Sequence, residues 1–274
     1  VTGGRPQGRR QVRDLLERHR HRPRKRLGQH FLADPNLVER IVRTAGVGPG
    51  DRVVEIGAGT GTLTRALAAT GAAVVAYEID RGLEPVLAET LGDSTADVRF
   101  EDATKVDLAA ALRGGPWTLV ANLPYHVGTP LLLDVLRHVP QVTSMVVMVQ
   151  REVADRLTAG PGSRTYGLPS VVAQLHAVVR FGFPVPAAVF VPEPGVDSAV
   201  VTLVRVEPPA PAERAVQLAA AAFNQRRKML RRSLAGALED VGPLLARAGI
   251  DPTARAEDLA PEDYVHLANA EVGL

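Results

Sequence analysis

An α/β fold is what this 274-residue sequence predicts: a mainly parallel sheet with helices on both faces, then a small all-helical C-terminal domain. Three observations carry that expectation. From Arg52 onward, short apolar runs alternate with segments of helical periodicity, the pattern of a parallel sheet covered on both sides. The first such run ends in a glycine-rich turn, Gly57-Ala58-Gly59-Thr60-Gly61, with a helical segment behind it. Beyond the proline-rich stretch Glu207-Pro208-Pro209-Ala210-Pro211, a linker by composition, no strand pattern recurs.

The elements follow in chain order. Residues 1–24 have no apolar periodicity beyond Val12, Leu15 and Leu16, so a basic arm is expected there, mobile or a short helix. Asp34-Pro35 is an N-cap followed by a first helical residue. Leu37, Val38, Ile41 and Val42 then place that helix on the core. Strands are expected at 52–56, 73–78, 98–100, 117–121, 144–149, 178–183 and 199–206. Helices fall near 62–70, 81–91, 129–138, 151–158 and 168–177. Prolines 184, 186, 192 and 194, not a helix, separate the last two strands, which are expected to pair as an antiparallel edge. The resulting domains are the arm at 1–24, the α/β domain at 25–207 and the helical domain at 208–274, with helices over 213–238 and 243–272.

The 46% hydrophobic content is ordinary for a globular chain, and this length can bury a full core plus a small second domain. No apolar run approaches the ~18 residues of a membrane helix, and the arginine-rich start does not read as a secretory signal. The chain has no cysteine, which excludes disulfides, thiolate zinc sites and a cysteine nucleophile, and fits a reducing cytosol. A cytoplasmic monomer with no metal and no membrane partner is expected.

The net charge of +2 is unevenly laid out. Residues 1–30 hold ten Arg or Lys against Asp14 and Glu17. Residues 223–232 hold Arg226, Arg227, Lys228, Arg231 and Arg232 with no acid, so the rest of the chain is acidic. Two basic blocks on an acidic body match the footprint of a phosphate-bearing partner. A solvated tail and one charged helix face are the plainer alternative. Arg227/Arg231 and Lys228/Arg232 are spaced i, i+4 and would share a helix face.

Glycine is needed where a backbone turns sharply against a ligand, because a Cβ would clash. Gly57, Gly59 and Gly61 stand at such a turn, and Glu78 ends the next strand, where an acid can accept from both hydroxyls of a ribose. A nicotinamide dinucleotide would want its third glycine at Thr62, one residue later than Gly61. S-adenosylmethionine has no phosphate and does not need that spacing. Asp102, after the strand at 98–100, could accept from an adenine amino group or simply cap a helix. Leu63 and Ile79 read as core or as apolar contacts to adenine.

The strand at 117–121 runs into Asn122-Leu123-Pro124-Tyr125. An exocyclic amino nitrogen of adenine is a weak nucleophile because its lone pair is delocalised into the ring. Two acceptors for its hydrogens would favour a more tetrahedral nitrogen. The Asn122 side-chain oxygen is one and the Leu123 carbonyl the other. Pro124 biases Leu123 away from helical geometry and stiffens the turn. Tyr125 offers a face for stacking. No strong base is required, and catalysis is then largely positioning and electrostatics.

These motifs resemble those of the rRNA adenine N6-dimethyltransferases, in the KsgA branch that modifies small-subunit rRNA, over roughly residues 24–270. Lys25-Arg26-Leu27-Gly28-Gln29-His30-Phe31-Leu32 looks like the family's N-terminal lid over the cofactor, with His30 where Asn is usual. The resemblance implies a Rossmann-like class I methyltransferase domain that binds S-adenosylmethionine through Gln29, His30, Leu32, Gly57, Gly59, Gly61, Glu78, Ile79, Asp102, Ala103 and Asn122. Asn122 to Tyr125 fall on its catalytic motif. Phe190, in Phe190-Val191-Pro192-Glu193-Pro194-Gly195-Val196-Asp197-Ser198-Ala199, would pack on a flipped adenine opposite Tyr125, although composition alone makes it core.

Residues 159–167, the basic run at 226–232 and Arg255-Ala256-Glu257-Asp258-Leu259 look like the KsgA branch rather than its large-subunit resistance cousins. The resemblance therefore implies dimethylation of two adjacent adenosines in the 3′-terminal hairpin of 16S rRNA, in an immature small subunit, with the basic residues on rRNA phosphates. A large-subunit methyltransferase, a non-catalytic assembly factor and a dehydrogenase are the rivals.

Overall fold

The structure, a computed structural model, describes residues 7–125 and 127–272. Residues 1–6 of the expected arm lie outside the described residues. One sheet contains seven strands: β1 (Arg52–Ile56), β2 (Ala73–Tyr77), β3 (Asp97–Arg99), β4 (Trp117–Asn122), β5 (Val142–Gln150), β6 (Ala177–Val185) and β7 (Ser198–Arg205). Their spatial order is β3-β2-β1-β4-β5-β7-β6. The first five pair in parallel, and β7 runs antiparallel to β5 with Ser198 opposite Gln150. Strands β6 and β7 are adjacent at one edge, as the proline-rich connection predicts. The order reverses between β1 and β4, so a crevice opens beyond their carboxyl ends.

The helices are α1 (Arg9–Arg18), α2 (Pro35–Ala45), α3 (Thr62–Ala68), α4 (Glu84–Leu91), α5 (Leu108–Ala111), α6 (Gly128–His138), α7 (Arg151–Leu157), α8 (Leu168–His176), α9 (Ala212–Asn224), α10 (Leu230–Ser233), α11 (Val241–Arg247) and α12 (Pro261–Val272). Asp34 caps α2 as expected, its Oδ1 accepting from the Leu37 N–H at 2.8 Å. Val38 and Ile41 of α2 and Leu63 and Leu67 of α3 bury against Val53, Val74, Val120, Val146 and Val200 of the sheet. The arm is not loose over its described part. Val12, Leu15 and Leu16 of α1 are buried against Leu83, Val86, Leu87, Phe31 and Ala58.

The chain forms two compact units, 1–154 with 180–204, and 155–179 with 205–274. This differs from the boundary at 207 expected from the linker. Residues 155–179 belong with the C-terminal helices because α8 packs on α9 and α12. The buried Tyr166 also donates its hydroxyl proton to the Leu259 carbonyl at 2.9 Å.

The second unit departs from the expected helices in two further ways: 243–272 is not one helix, because α11 ends at Arg247 and α12 begins only at Pro261, and the segment before it is also broken. The 213–238 segment is not one helix: α9 ends at Asn224, residues 225–228 form a turn, and α10 begins at Leu230. Met229 takes an extended conformation and bridges Arg255, and the Leu230 N–H donates to the Ala254 carbonyl. That cross-chain pairing interrupts the helix, so Arg227/Arg231 and Lys228/Arg232 do not share a continuous helix face.

Candidate active site

The crevice at the switch of strand order is a cavity lined by residues 26–32, 55–60 with 62 and 63, 77–79 with 101–104, and 122–125 with Val127 and Leu131. The glycine turn after β1 forms its floor. The Gly57 and Ala58 N–H groups both donate to the Tyr77 carbonyl, folding the turn against β2. Gly59 has φ +57°, and a Cβ there would meet the Phe31 ring at 3.1 Å. Its N–H donates to Glu78 Oε2 at 2.8 Å. Gly61 does not line the cavity. It caps α3 at φ +78°, where a Cβ would meet Leu87 at 3.0 Å, so its smallness serves helix packing and not ligand contact.

Glu78 is fixed at the end of β2. Gly59 holds one oxygen and the Asp80 N–H holds the other at 2.8 Å. Burial pushes its carboxyl up from the ordinary value, while these backbone donors pull the other way. Glu55, at the end of β1, is 1% exposed. Burial pushes it up to about 8, and its Oε2 finds no partner among the described residues. Asp102 turns the chain by accepting from the Thr104 hydroxyl at 2.6 Å and the Thr104 N–H at 3.1 Å, which hold its carboxyl below the ordinary range. Ala103 lines the wall beside it, and Ile79 is 51% exposed at the same cavity.

Asn122 ends β4 on the opposite wall. Its Nδ2 donates to the His30 carbonyl at 3.1 Å. Leu123 is buried and continues the ladder, its N–H donating to the Met148 carbonyl. Tyr125 is held through its hydroxyl, 2.8 Å from Ser198 Oγ, and burial pushes its phenol up. The His30 ring stacks on Tyr125 with centroids 5.6 Å apart and planes at 26°. His30 Nδ1 donates to the Pro192 carbonyl at 2.8 Å, which anchors that ring.

Two expected contacts are placed elsewhere. Phe190 is fully buried and is not part of the cavity. It pairs with Leu32 across a two-residue antiparallel bridge and joins the core with Val38, Ile41 and Phe183. The aromatic ring facing Tyr125 is therefore His30, not Phe190. Gln29 lines the cavity, but its amide is engaged away from it: Nε2 donates to Asp80 at 2.8 Å and Oε1 accepts the Arg24 N–H at 2.7 Å. Leu32 lines the wall but is only 5% exposed.

The comparisons with known proteins bear on what such a cavity serves. The family model described as "Ribosomal RNA adenine dimethylase" matches residues 20–271. The chain belongs to that family. It is a Rossmann-like, S-adenosylmethionine-dependent rRNA adenine dimethyltransferase with a helical C-terminal extension. It is 48% identical to the "Ribosomal RNA small subunit methyltransferase A" of Nocardia farcinica, over 94% of this chain and 93% of that protein. It is 44% identical to the protein of the same name from Magnetococcus marinus, over 94% of this chain and 95% of that one. Among solved structures, the 23S rRNA methyltransferase ErmE superimposes with a TM-score of 0.69 at 27% identity, over 88% of this chain and 99% of that one. A dimethyladenosine transferase from Plasmodium falciparum superimposes with a TM-score of 0.70 at 23% identity, over 87% and 96%, which shows the shared fold.

The family's cofactor fits the cavity on grounds of its own. A buried acid with an orphan oxygen, Glu55, lines it, and Glu78 and Asp102 bring the lining carboxylates to a set suited to a cationic, hydroxyl-bearing nucleoside. Exposed Ile79 offers an apolar face for a flat ring. Among the described residues no cluster of His, Cys, Asp or Glu could hold a metal ion, and no helix is long and apolar enough to cross a membrane.

Sequence reading passed over three residues that the geometry makes prominent. Ser198 holds the Tyr125 hydroxyl. Pro192 anchors His30. Asp80, 1% exposed, gathers Arg24, Gln29 and the Gly82 N–H. Pro192 and Ser198 lie within the Phe190–Ala199 motif, and Asp80 is an acid two residues beyond Glu78 in a strand-end turn.

In the second unit the predicted phosphate contacts divide. Arg226 pairs with Glu257 at 2.7 Å and donates to the Arg164 carbonyl at 2.9 Å, so it is a structural tie within that unit. Arg227, Lys228, Arg231 and Arg232 are exposed.

Proposed function

We propose that this enzyme converts two adjacent adenosines in the 3′-terminal hairpin of 16S rRNA to N6,N6-dimethyladenosine, four methyl groups in all, on an immature small ribosomal subunit. The observation that carries the choice of rRNA is the 48% identity, over nearly the whole chain, to a small-subunit methyltransferase, against 27% to a large-subunit enzyme.

The cofactor supplies a methyl group on a positively charged sulfur, an electrophile that needs no further activation. Glu78 accepts hydrogen bonds from its ribose, Asp102 from its adenine amino group, and Ile79 and Ala103 pack on the ring. Gly57 and Gly59 let the backbone lie close to it. The buried Glu55 faces its cationic end.

The adenine to be methylated leaves its stack and lies on Tyr125, a contact worth roughly 1–3 kcal/mol. Asn122 Oδ1 and the Leu123 carbonyl accept the two amino hydrogens and draw the nitrogen toward a tetrahedral shape. Asn122 is oriented for this because its Nδ2 is tied to an acceptor-only carbonyl, that of His30. Once methylated, the nitrogen is acidic enough to pass its proton to water. The work of the site is positioning. Arg227, Lys228, Arg231 and Arg232 hold rRNA phosphates, and the enzyme acts as a monomer in the cytoplasm.

The test is to offer purified small and large subunits, both lacking these methyl groups, separately with labelled cofactor, and to map the product by mass. Label in two adjacent adenosines near the 3′ end of 16S rRNA is expected. Label confined to the large subunit overturns the assignment. Small-subunit binding without label would favour an assembly factor.

A further inference from the structure

The N-terminal arm bears an asymmetry of charge that the site above does not use. Helix α1 and the segment after it are fastened to the catalytic unit on one side only. Val12, Leu15 and Leu16 are buried, Arg9 pairs with Glu193 at 3.7 Å, Arg18 pairs with Glu89, and Arg24 pairs with the buried Asp80 at 2.9 Å. These contacts fix the path of the chain from Arg9 to Gln29. Arg10 pairs with Asp14 on the same helix at 3.8 Å; the other cations of the segment, Arg13, Arg20, Arg22, Lys25 and Arg26, are exposed, and among the described residues none of them carries an ion pair. Arg26 lies on the lining of the cavity itself.

A flexible basic tail would let such charges spread apart. Here the backbone is pinned, and the segment's two carboxylates, Asp14 (paired with Arg10) and Glu17, leave its positive charge in large excess. That arrangement raises the free energy of the isolated protein and lowers it again when a polyanion replaces the counterions. Arginine dominates the set, and its planar fork suits phosphate oxygens. We propose that the outward face of this arm is a phosphate clamp, which grips the RNA backbone beside the mouth of the cavity while a base enters it. The inference rests on the proposed function for the presence of RNA at that mouth, but the clamp reads phosphates and not sequence. It accounts for an arm whose helix lies outside the matched family region of residues 20–271.

The test uses the full chain and two variants, Arg13→Gln/Arg22→Gln and Arg13→Glu/Arg22→Glu. Arg20 is left alone because its φ of +53° makes a substitution there ambiguous, and Lys25 and Arg26 because they adjoin the cofactor cavity. Binding to a 3′-terminal 16S rRNA fragment and to an unrelated RNA hairpin is measured from about 50 to about 300 mM salt, with cofactor binding followed by calorimetry.

For the neutral variant, affinity for both RNAs should fall roughly five-fold or more at moderate salt, and the slope of log affinity against log salt should flatten by about 1–2. The reversed variant should lose more. Cofactor affinity and the melting temperature should be unchanged. RNA affinity and salt slope equal to the parent's in both variants overturn the clamp. A parent chain that methylates only large-subunit rRNA would overturn the proposed substrate instead, and the slope comparison would still decide the clamp.

Discussion

The Asn122 side chain donates from Nδ2 to the backbone carbonyl of His30 at 3.1 Å, so the cavity-lining segment at 26–32 sets which way the amide faces. A carbonyl cannot donate, and this bond therefore leaves Oδ1 as the free end. Asn122→Ala removes that acceptor. Single-turnover methylation should slow roughly 100-fold or more, the scale of losing one preorganised polar contact to a reacting group. Particle binding should survive. Asn122→Asp should also fail, because its second oxygen faces the His30 carbonyl with no proton to share. Unchanged rates in either variant would remove Asn122 from the chemistry.

Tyr125 and Phe190 make opposite predictions because one lines the cavity and the other lies in the core. Tyr125→Phe keeps the stacking face and loses only the bond to Ser198 Oγ, so the rate should fall less than ten-fold. Tyr125→Ala should cost about 1–3 kcal/mol in the transition state, read as a loss of kcat/KM. Phe190→Leu nearly preserves core packing, and activity should stay within a few-fold of the parent. Phe190→Ala should destabilise by about 3–5 kcal/mol in a denaturant titration. A folded Phe190→Leu enzyme with intact cofactor binding and no methylation would restore Phe190 as a base-stacking residue.

Burial lifts Glu55 from an ordinary 4.5 to about 8. Between those values the folded protein binds more protons than the unfolded chain, so stability falls as pH rises across that window. The cofactor-free protein should therefore melt higher near pH 5.5 than near pH 8. Glu55→Gln should flatten that slope and gain stability at pH 8. A bound cation beside Glu55 favours the ionised form, so saturating cofactor should also flatten it. Parallel melting curves for the parent and Glu55→Gln across the window would show that Glu55 is not the group responsible.

Much of the first unit was legible because its signals are local. Apolar runs ending in glycine or in Asn122-Leu123-Pro124-Tyr125 mark strands and their exits without reference to distant residues. Glu78 and Asp102 are likewise marked by position at a strand end. The misplaced features depend on partners far along the chain. Phe190 is buried because Leu32 pairs with it. The basic segment breaks at Met229 because Arg255 bridges it. Residues 155–179 join the second unit through α9 and α12, contacts that no composition shift announces. The three buried residues of α1 are hidden in an arginine-rich stretch because only their facing partners make them core.

Asp80 joins the arm to the cofactor wall. Its carboxylate is wholly buried and receives Arg24 at 2.9 Å, Gln29 at 2.8 Å and the Gly82 N–H at 3.0 Å, while its own N–H holds Glu78. Removing one partner of a buried ion pair typically costs roughly 3–5 kcal/mol, whereas replacing both is often near neutral, although the exposed side of Arg24 moderates that here. Arg24→Ala should lower the melting temperature, and Arg24→Ala/Asp80→Asn should recover part of the loss. Asp80→Asn alone keeps the volume and the backbone bond to Glu78 but weakens the ties to Arg24 and Gln29. If those ties hold the lid against the cavity, Asp80→Asn should weaken cofactor binding several-fold in calorimetry well below its melting temperature. A purely structural Asp80 would lower the melting temperature and leave that affinity unchanged.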